Sequence, residues 1–164
     1  MAIVSTDIKY RLSGGASNSD PLLSLGGAKS STDAASTIFD DVSSAEASAG
    51  DVEYRCVYVH NNHGSLTLQG AKVWIQANTP SGDTDVAIGL GAAAVNATET
   101  ATADESTAPS GVSFSTPTSF AGGLSIGDIP YGQHKAVWVR RTVNAAAGAY
   151  SDNFTLRVQG DTNP

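Results

Sequence analysis

The sequence predicts an all-β fold, an antiparallel β-sandwich of jelly-roll or immunoglobulin-like type with an extended N-terminal arm. Residues 51–164 contain short runs rich in Val, Ile, Tyr and Trp that are separated by turn residues, and they show no long helical pattern. Residues 1–50 are mostly Gly, Ser, Ala, Asp and Thr with scattered apolar side chains. We therefore divide the chain into an arm with short strands, 1–50, and a β-sandwich domain, 51–164.

The arm carries two local signals of its own. Residues 7–12 alternate polar and apolar side chains and predict a short strand. Residues 13–37 predict a loop, since their apolar surface is too small to offset the entropy of ordering the chain. Ser43 followed three residues later by Glu46 is a capping-box pattern, which predicts one helical turn over 44–49.

The sandwich domain is predicted to begin with a β-hairpin, in which residues 52–59 pair with residues 66–75 across an Asn-Asn-His-Gly turn. Gly70 predicts a bulge or bend in the second arm of this hairpin. Residues 91–111 predict a long loop with a weak edge strand near 98–102. Further strands are predicted at 86–90, around Val112 and Phe114, near 124–129, at 135–143 and at 154–158.

Composition and charge restrict the classes of function. A net charge of −7 and a pI near 4.6 argue against sequence-independent nucleic-acid binding, which requires a basic face. The single cysteine, Cys56, excludes an intramolecular disulfide. No apolar run approaches about 18 residues and the N-terminus lacks the pattern of a secretion signal, so we expect no membrane span and folding in a cytoplasm.

Candidate chemistry in the sequence is sparse. Cys56, His60 and His63 offer zinc-ligand side chains within eight residues, but no fourth ligand is near, so we predict a core cysteine and two histidines in the turn region. No Gly-x-Ser-x-Gly elbow supports a Ser-His-Asp site. The sequence therefore predicts a protein that is not an enzyme and that has no catalytic residue, no metal site and no cofactor.

Acidic and aromatic side chains offer two further kinds of candidate binding site. The acidic pairs Asp40-Asp41, Asp83/Asp85 and Asp104-Glu105 are interpreted as solvated loop charge, with calcium a minor alternative at Asp83/Asp85. Trp74 and Trp138 lie in strands that are apolar on both faces. This predicts core packing for at least one of them and allows a subunit contact for the other. A carbohydrate platform would instead need exposed aromatic rings.

Three stretches of the chain resemble virion structural proteins of tailed bacteriophages. The first is Tyr-Arg-Leu-Ser-Gly-Gly-Ala at 10–16, with Asp-Pro at 20–21 and Ser-Leu-Gly-Gly at 24–27. The second is Glu-Tyr-Arg-Cys-Val-Tyr-Val at 53–59, followed by Asn61. The third is Gly-Asp-Ile-Pro-Tyr-Gly-Gln at 127–133, continuing into Ala-Val-Trp-Val-Arg-Arg at 136–141.

The resemblance implies a capsid decoration (cement) protein on the virion surface, made in the host cytoplasm, whose partners are the major capsid protein and copies of itself. It implies no nucleic-acid or membrane partner. A neck, tail or baseplate subunit and a host-carbohydrate-binding module remain alternatives. An arm that orders on a particle would bury its apolar residues there. The predicted anchors are Ile8, Tyr10, Leu12, Leu22, Leu23, Leu25, Ile38 and Phe39.

Overall fold

A computed structural model describes residues 2–148 and 152–162. It contains two antiparallel sheets and almost no helix, which confirms the predicted all-β sandwich. None of the described helices has the length and apolar character needed to cross a membrane. The elements are the strands β1 (Ile8–Leu12), β2 (Asp51–Asn61), β3 (Leu68–Ala77), β4 (Thr84–Leu90), β5 (Leu124–Ile129), β6 (His134–Val143) and β7 (Thr155–Thr162), the helix α1 (Ser44–Ala49), and two 3₁₀ turns, Ser5–Asp7 and Pro21–Leu23.

The two sheets have the strand orders β1-β2-β6-β4 and β5-β3-β7. Consecutive strands β2 and β3 lie in different sheets, so the predicted hairpin between them is wrong. The side-chain amide of Asn61, buried at the end of β2, donates to the carbonyls of Leu66 and Ile129 at 2.8 Å each. These bonds direct the chain across to the other sheet instead of back alongside β2.

Several local predictions are confirmed and others are wrong. α1 has the predicted capping box, in which Ser43 Oγ accepts from the Glu46 amide at 3.3 Å and the Glu46 carboxylate accepts from the Ser43 amide at 2.6 Å. Gly70 lies at a register shift of β3 with φ +55°. No strand forms around Val112, where only Ser115 makes an isolated bridge, and none forms at 98–102. The last strand continues to Thr162, beyond its predicted end.

The four-stranded sheet is buried on both faces. Its inner face packs against the three-stranded sheet in the main core, to which Val57, Val59, Val137 and Val139 contribute. Its outer face carries a second cluster of Cys56, Tyr58, Ala136 and Trp138, on which Val112 and Phe114 pack. Burial on both faces explains why β2 and β6 read as nearly continuous apolar runs.

Much of the described N-terminal segment, residues 2–50, lies against the sandwich. β1 pairs with the second half of β2, from Ile8 opposite Asn61 to Leu12 opposite Val57. The outer edge of β1 is covered by residues 30–34, whose backbone exchanges hydrogen bonds with Leu12 and Tyr10. β1 ends at Leu12, so the first half of β2 has no strand beside it on that edge. Loops take its place, and the amides of Cys56 and Tyr54 donate to the carbonyls of Ser24 and Glu105.

The burial of β1 in the sandwich gives a stability prediction. Leu12 is 1% exposed and Leu23 is 59% exposed. We expect Leu12→Ala to lower the free energy of unfolding by about 2–5 kcal/mol, because it leaves a cavity beside β2. The control Leu23→Ala should change it by no more than about 0.5 kcal/mol. Urea denaturation of both variants measures the difference, and equal effects would contradict the placement of β1.

Candidate functional site

A cavity of about 390 Å³ lies at the end of the sandwich where β4 and β7 begin and β6 ends. It lies between residues 34–42, which form a lid, and residues 152–156. More of its lining surface is apolar than polar, and the polar part comes from carboxylates, hydroxyls and one guanidinium. The apolar residues are Tyr10, Ile38, Phe39, Val42, Val57, Val86, Phe154 and Leu156, and the polar ones include Asp40, Thr79, Thr84, Arg141 and Asp152.

Each wall comes from a different part of the fold. Val57 and Val86 belong to the inner face of the four-stranded sheet, and Leu156 belongs to β7. The lid closes the space through Ile38, which is buried in the main core, and through Phe39, whose ring meets that of Phe154 edge-on at 6.4 Å. The cavity therefore depends on a lid that comes from the N-terminal arm.

A network of buried charges joins the lid to the sheet. Glu53 on β2 lies directly opposite Arg141 on β6, and its carboxylate accepts from Arg141 Nε at 2.5 Å. Arg55, which is fully buried, donates from Nη2 to the carboxylate of Glu105 at 2.5 Å. Asp40 Oδ1 lies 3.3 Å from Arg141 Nη2 and 3.9 Å from Arg55 Nη2. Each buried charge thus has an opposite charge beside it, as burial in a low dielectric requires.

The same two arginines hold the lid by its backbone. Arg55 Nε donates to the carbonyl of Ile38 at 3.1 Å, and Arg141 Nη1 donates to the carbonyl of Asp40 at 2.6 Å. The ring of Phe39 lies near both guanidinium groups, 5.4 Å from Arg55 Cζ and 4.8 Å from Arg141 Cζ. The position of the lid is therefore set by charge-assisted hydrogen bonds and cation–π contacts as well as by apolar packing.

Burial raises the pKa of Glu53 to about 7, and the adjacent Arg141 opposes this shift. Its Oε2 accepts from Arg141, while its Oε1 is buried without a hydrogen bond among the described residues. Glu53 is thus the group of the network whose charge changes near neutral pH.

Two sets of carboxylates are close enough to share a cation, namely Asp40, Glu53 and Glu105, and Glu46, Asp51 and Glu53. In the first set, the guanidinium groups of Arg55 and Arg141 already supply positive charge. The calcium alternative at Asp83/Asp85 has no comparable geometry. Asp83 accepts from the Gly148 amide, Asp85 accepts from Asn78, and neither belongs to a set of three ligands in the described part of the chain.

The zinc-ligand side chains noted in the sequence do not converge. Cys56 is buried, and burial raises the pKa of its thiol far above the usual range. His63 lies in the turn, where its Nδ1 accepts from the amides of Ser65 and Leu66. His60 is not in the turn but in β2, opposite His134 on β6, with ring centroids 6.5 Å apart.

The predicted arm anchors divide between the core of this chain and its surface. Leu12 and Ile38 are buried, and Ile8, Tyr10 and Phe39 pack against the main core. Leu25 is half-buried in the loop after β1. Leu22 and Leu23 are exposed, at 41% and 59%. Among these eight residues, only the pair Leu22 and Leu23 presents large exposed side chains to a partner.

The sequence predicts solvated loop charge at Asp40 and Glu105, and their side chains are 43% and 45% exposed in the structure. The sequence pattern does not show that both carboxylates also pair with buried arginines. A signal was present, since Glu53 and Arg55 alternate within an otherwise apolar strand. Arg141 likewise shares the parity of the buried Val137 and Val139. A charge on the buried face of a strand indicates a partner elsewhere in the chain.

Both tryptophans are buried. Trp138 lies under the outer-face loops, and Trp74 lies under Phe120, whose ring meets it at 5.8 Å. Neither indole presents an open face of the kind that a carbohydrate platform uses.

Comparisons of the chain with known protein families, curated proteins and solved structures find no significant match. The phage resemblance therefore rests on the three quoted stretches. In the structure they supply β1 and the loop after it, β2, and the segment through β5 and β6. Many of these residues are buried in three adjacent strands of one sheet, β1, β2 and β6. The resembling residues therefore lie largely in the core strands of the fold.

Glu53 gives a pH-dependence prediction. A carboxyl whose pKa rises from 4.5 to about 7 on folding keeps its proton in the folded state after the unfolded chain has released it. Its contribution to stability therefore falls as the pH rises through that interval. We expect the free energy of unfolding of the wild type, relative to Glu53→Gln, to decrease between about pH 5 and about pH 8. Parallel pH profiles of the two proteins in urea denaturation would contradict this.

His134 gives a prediction of opposite sign. Burial, with the nearby charges of Lys29 and His60, lowers the pKa of His134 from 6.5 to about 4. The unfolded chain then binds a proton that the folded state does not, so this residue reduces stability as the pH falls from about 6.5 towards 4. An NMR titration of the His134 ring should give a pKa of about 4. The substitution His134→Gln should remove the loss of stability that this residue causes as the pH falls. A ring that titrates at or above its usual value would contradict the burial.

Proposed function

We propose that this chain is a structural virion protein that binds the outer surface of a phage capsid and stabilises it, as a decoration protein. The phage assignment is supported by the three resembling stretches. The structural observation that carries the proposal is the pair Leu22 and Leu23, two large apolar side chains presented to solvent on a rigid turn.

The turn that presents the two leucines is held by several hydrogen bonds. Asp20 accepts from the Leu22 amide at 2.9 Å, and the Ser24 amide donates to the carbonyl of Pro21 at 3.0 Å. Asn18 donates to the carbonyl of Asp20 at 2.9 Å. Pro21 also restricts the first backbone dihedral of the turn.

A preorganised apolar pair suits a protein that must bind in many copies. A contact made by residues that are already ordered loses less conformational entropy on binding than one made by a flexible loop. Repetition of the contact over a shell adds avidity, so each contact can be small. The remaining acidic, Ser- and Thr-rich surface suits the polar rim that surrounds such a contact.

The first test is quantitative mass spectrometry of purified particles of the phage that encodes this chain, with the major capsid protein as the standard. A copy number in a simple ratio to the capsid protein is expected for a decoration protein. About a dozen copies or fewer, the number typical of symmetric neck and tail rings, would assign the chain to the neck, tail or baseplate instead. Absence from particles would contradict the structural role and direct attention to glycan binding.

The two leucines give the matching mutational prediction. We expect the double variant Leu22→Ser and Leu23→Ser to bind particles at least about tenfold more weakly, since burying a leucine contributes about 1.5–3 kcal/mol. Its free energy of unfolding should remain close to that of the wild type. The control is Val4→Ser, which removes another apolar side chain that is 53% exposed. Equal binding by the double variant and the wild type, measured by co-sedimentation with particles, would refute a contact at this turn.

A further inference from the structure

The sheet edges of this protein differ in how well they are covered. In the four-stranded sheet, β1 is covered by residues 30–34, and β4 is bridged by Ser115, which exchanges two hydrogen bonds of 2.9 Å with Ile88. In the three-stranded sheet, β7 is an eight-residue edge strand. Uncovered edges of this length can pair with another chain.

The edge of β7 is open along most of its length. Tyr10 reaches it from β1, where its hydroxyl donates to the carbonyl of Leu156 at 3.4 Å. Apart from Tyr10, no described residue outside β3 makes a hydrogen bond to β7. The Tyr10 hydroxyl also makes a hydrogen bond with the backbone of Val158. The backbone groups of this edge that are not used within the described chain therefore lie mainly between Gln159 and Thr162.

The exposed side chains of β7 carry a self-complementary charge pattern. Arg157, Gln159 and Asp161 alternate with more buried residues and so project from one face of the strand. Arg157 lies over the Trp74 ring, with its Cζ 5.8 Å from the ring centroid. Neither Arg157 nor Asp161 forms an ion pair within the described residues. The two opposite charges are placed symmetrically on either side of Gln159.

We infer that β7 is a self-association edge, at which two copies of this chain pair antiparallel about a two-fold axis at Gln159. In this register, Arg157 of each copy lies opposite Asp161 of the other, so one charge pattern forms two ion pairs. The two three-stranded sheets join into one sheet of six strands, with both β7 strands at its centre.

The sign of the charges distinguishes this arrangement from an edge that is protected against pairing. Charges of one sign along an edge repel a second copy in any register, which is how many proteins block their edges. Here an antiparallel partner is attracted, whereas a parallel, in-register partner would place Arg157 opposite Arg157 and be repelled. The pattern thus selects a closed dimer over an open stack of strands.

This inference deepens the proposed structural role by naming the surface through which copies of the subunit meet. Leu22 and Leu23 belong to the loop on the outer face of the four-stranded sheet, while β7 lies at the edge of the other sheet. Self-association would therefore leave the proposed particle contact free.

The test is a charge swap on the full chain, followed by sedimentation equilibrium over a range of concentrations. The wild type should be a dimer in equilibrium with monomer. Arg157→Asp and Asp161→Arg should each weaken the dimer about tenfold, because each replaces two attractive pairs by like charges. The double variant R157D/D161R should restore the wild-type dissociation constant to within about threefold, which a loss of the Arg157–Trp74 contact alone would not allow.

The matched control is Asp41→Arg, a charge reversal of an exposed residue before α1, which should leave the dimer unchanged. Circular dichroism confirms that each variant is folded. A monomeric wild type, or a dimer that neither single variant weakens, would overturn the inference. If the wild type is a monomer but still binds particles, the inference fails and the proposed function stands. If the wild type forms a dimer that responds to the charge swap but is absent from particles, the proposed function fails and the inference stands.

Discussion

Both faces of the four-stranded sheet are buried, and the loop after β1 and the segment between β4 and β5 cover its outer face. Tyr58 shows how the cover is attached. Its hydroxyl donates to the Gly27 carbonyl at 2.6 Å and accepts from the Glu99 amide at 2.8 Å, so one buried side chain holds two loops. The loops also bind each other, through an isolated bridge between Gly27 and Glu99. Without this cover, Trp138 and its neighbours would lie exposed on a second apolar face.

The inner face of the four-stranded sheet is not wholly apolar at the end where the lid lies. Here the strands carry Glu53, Arg55 and Arg141 in place of apolar residues, and the lid and a loop bring carboxylates to them. Buried ion pairs are weak sources of net stability, because desolvation offsets most of their attraction. Their effect here is positional, since the arginines bind the backbone of the lid that borders the cavity.

The same architecture determines which surfaces remain for partners. The Gly- and Ser-rich loop after β1 buries Ser13 and Ser24 and leaves Leu22 and Leu23 exposed. In the other sheet, β7 is one of two edge strands and has backbone groups that no described residue uses. The proposed particle contact and the proposed self-association edge therefore lie in separate layers of the sandwich.

Features that depend on residues close together in the chain could be predicted from the sequence. The all-β class, most strand positions, the capping box of α1 and the bulge at Gly70 depend on residues a few positions apart, and the sequence by itself was sufficient for them. Only the tertiary structure decided that β2 and β3 belong to different sheets, that Val112 and Phe114 cover a face, and that Asp40 and Glu105 reach buried arginines. These features depend on contacts between residues far apart in the chain. A local pattern shows that a side chain will be buried, but not which distant segment will cover it.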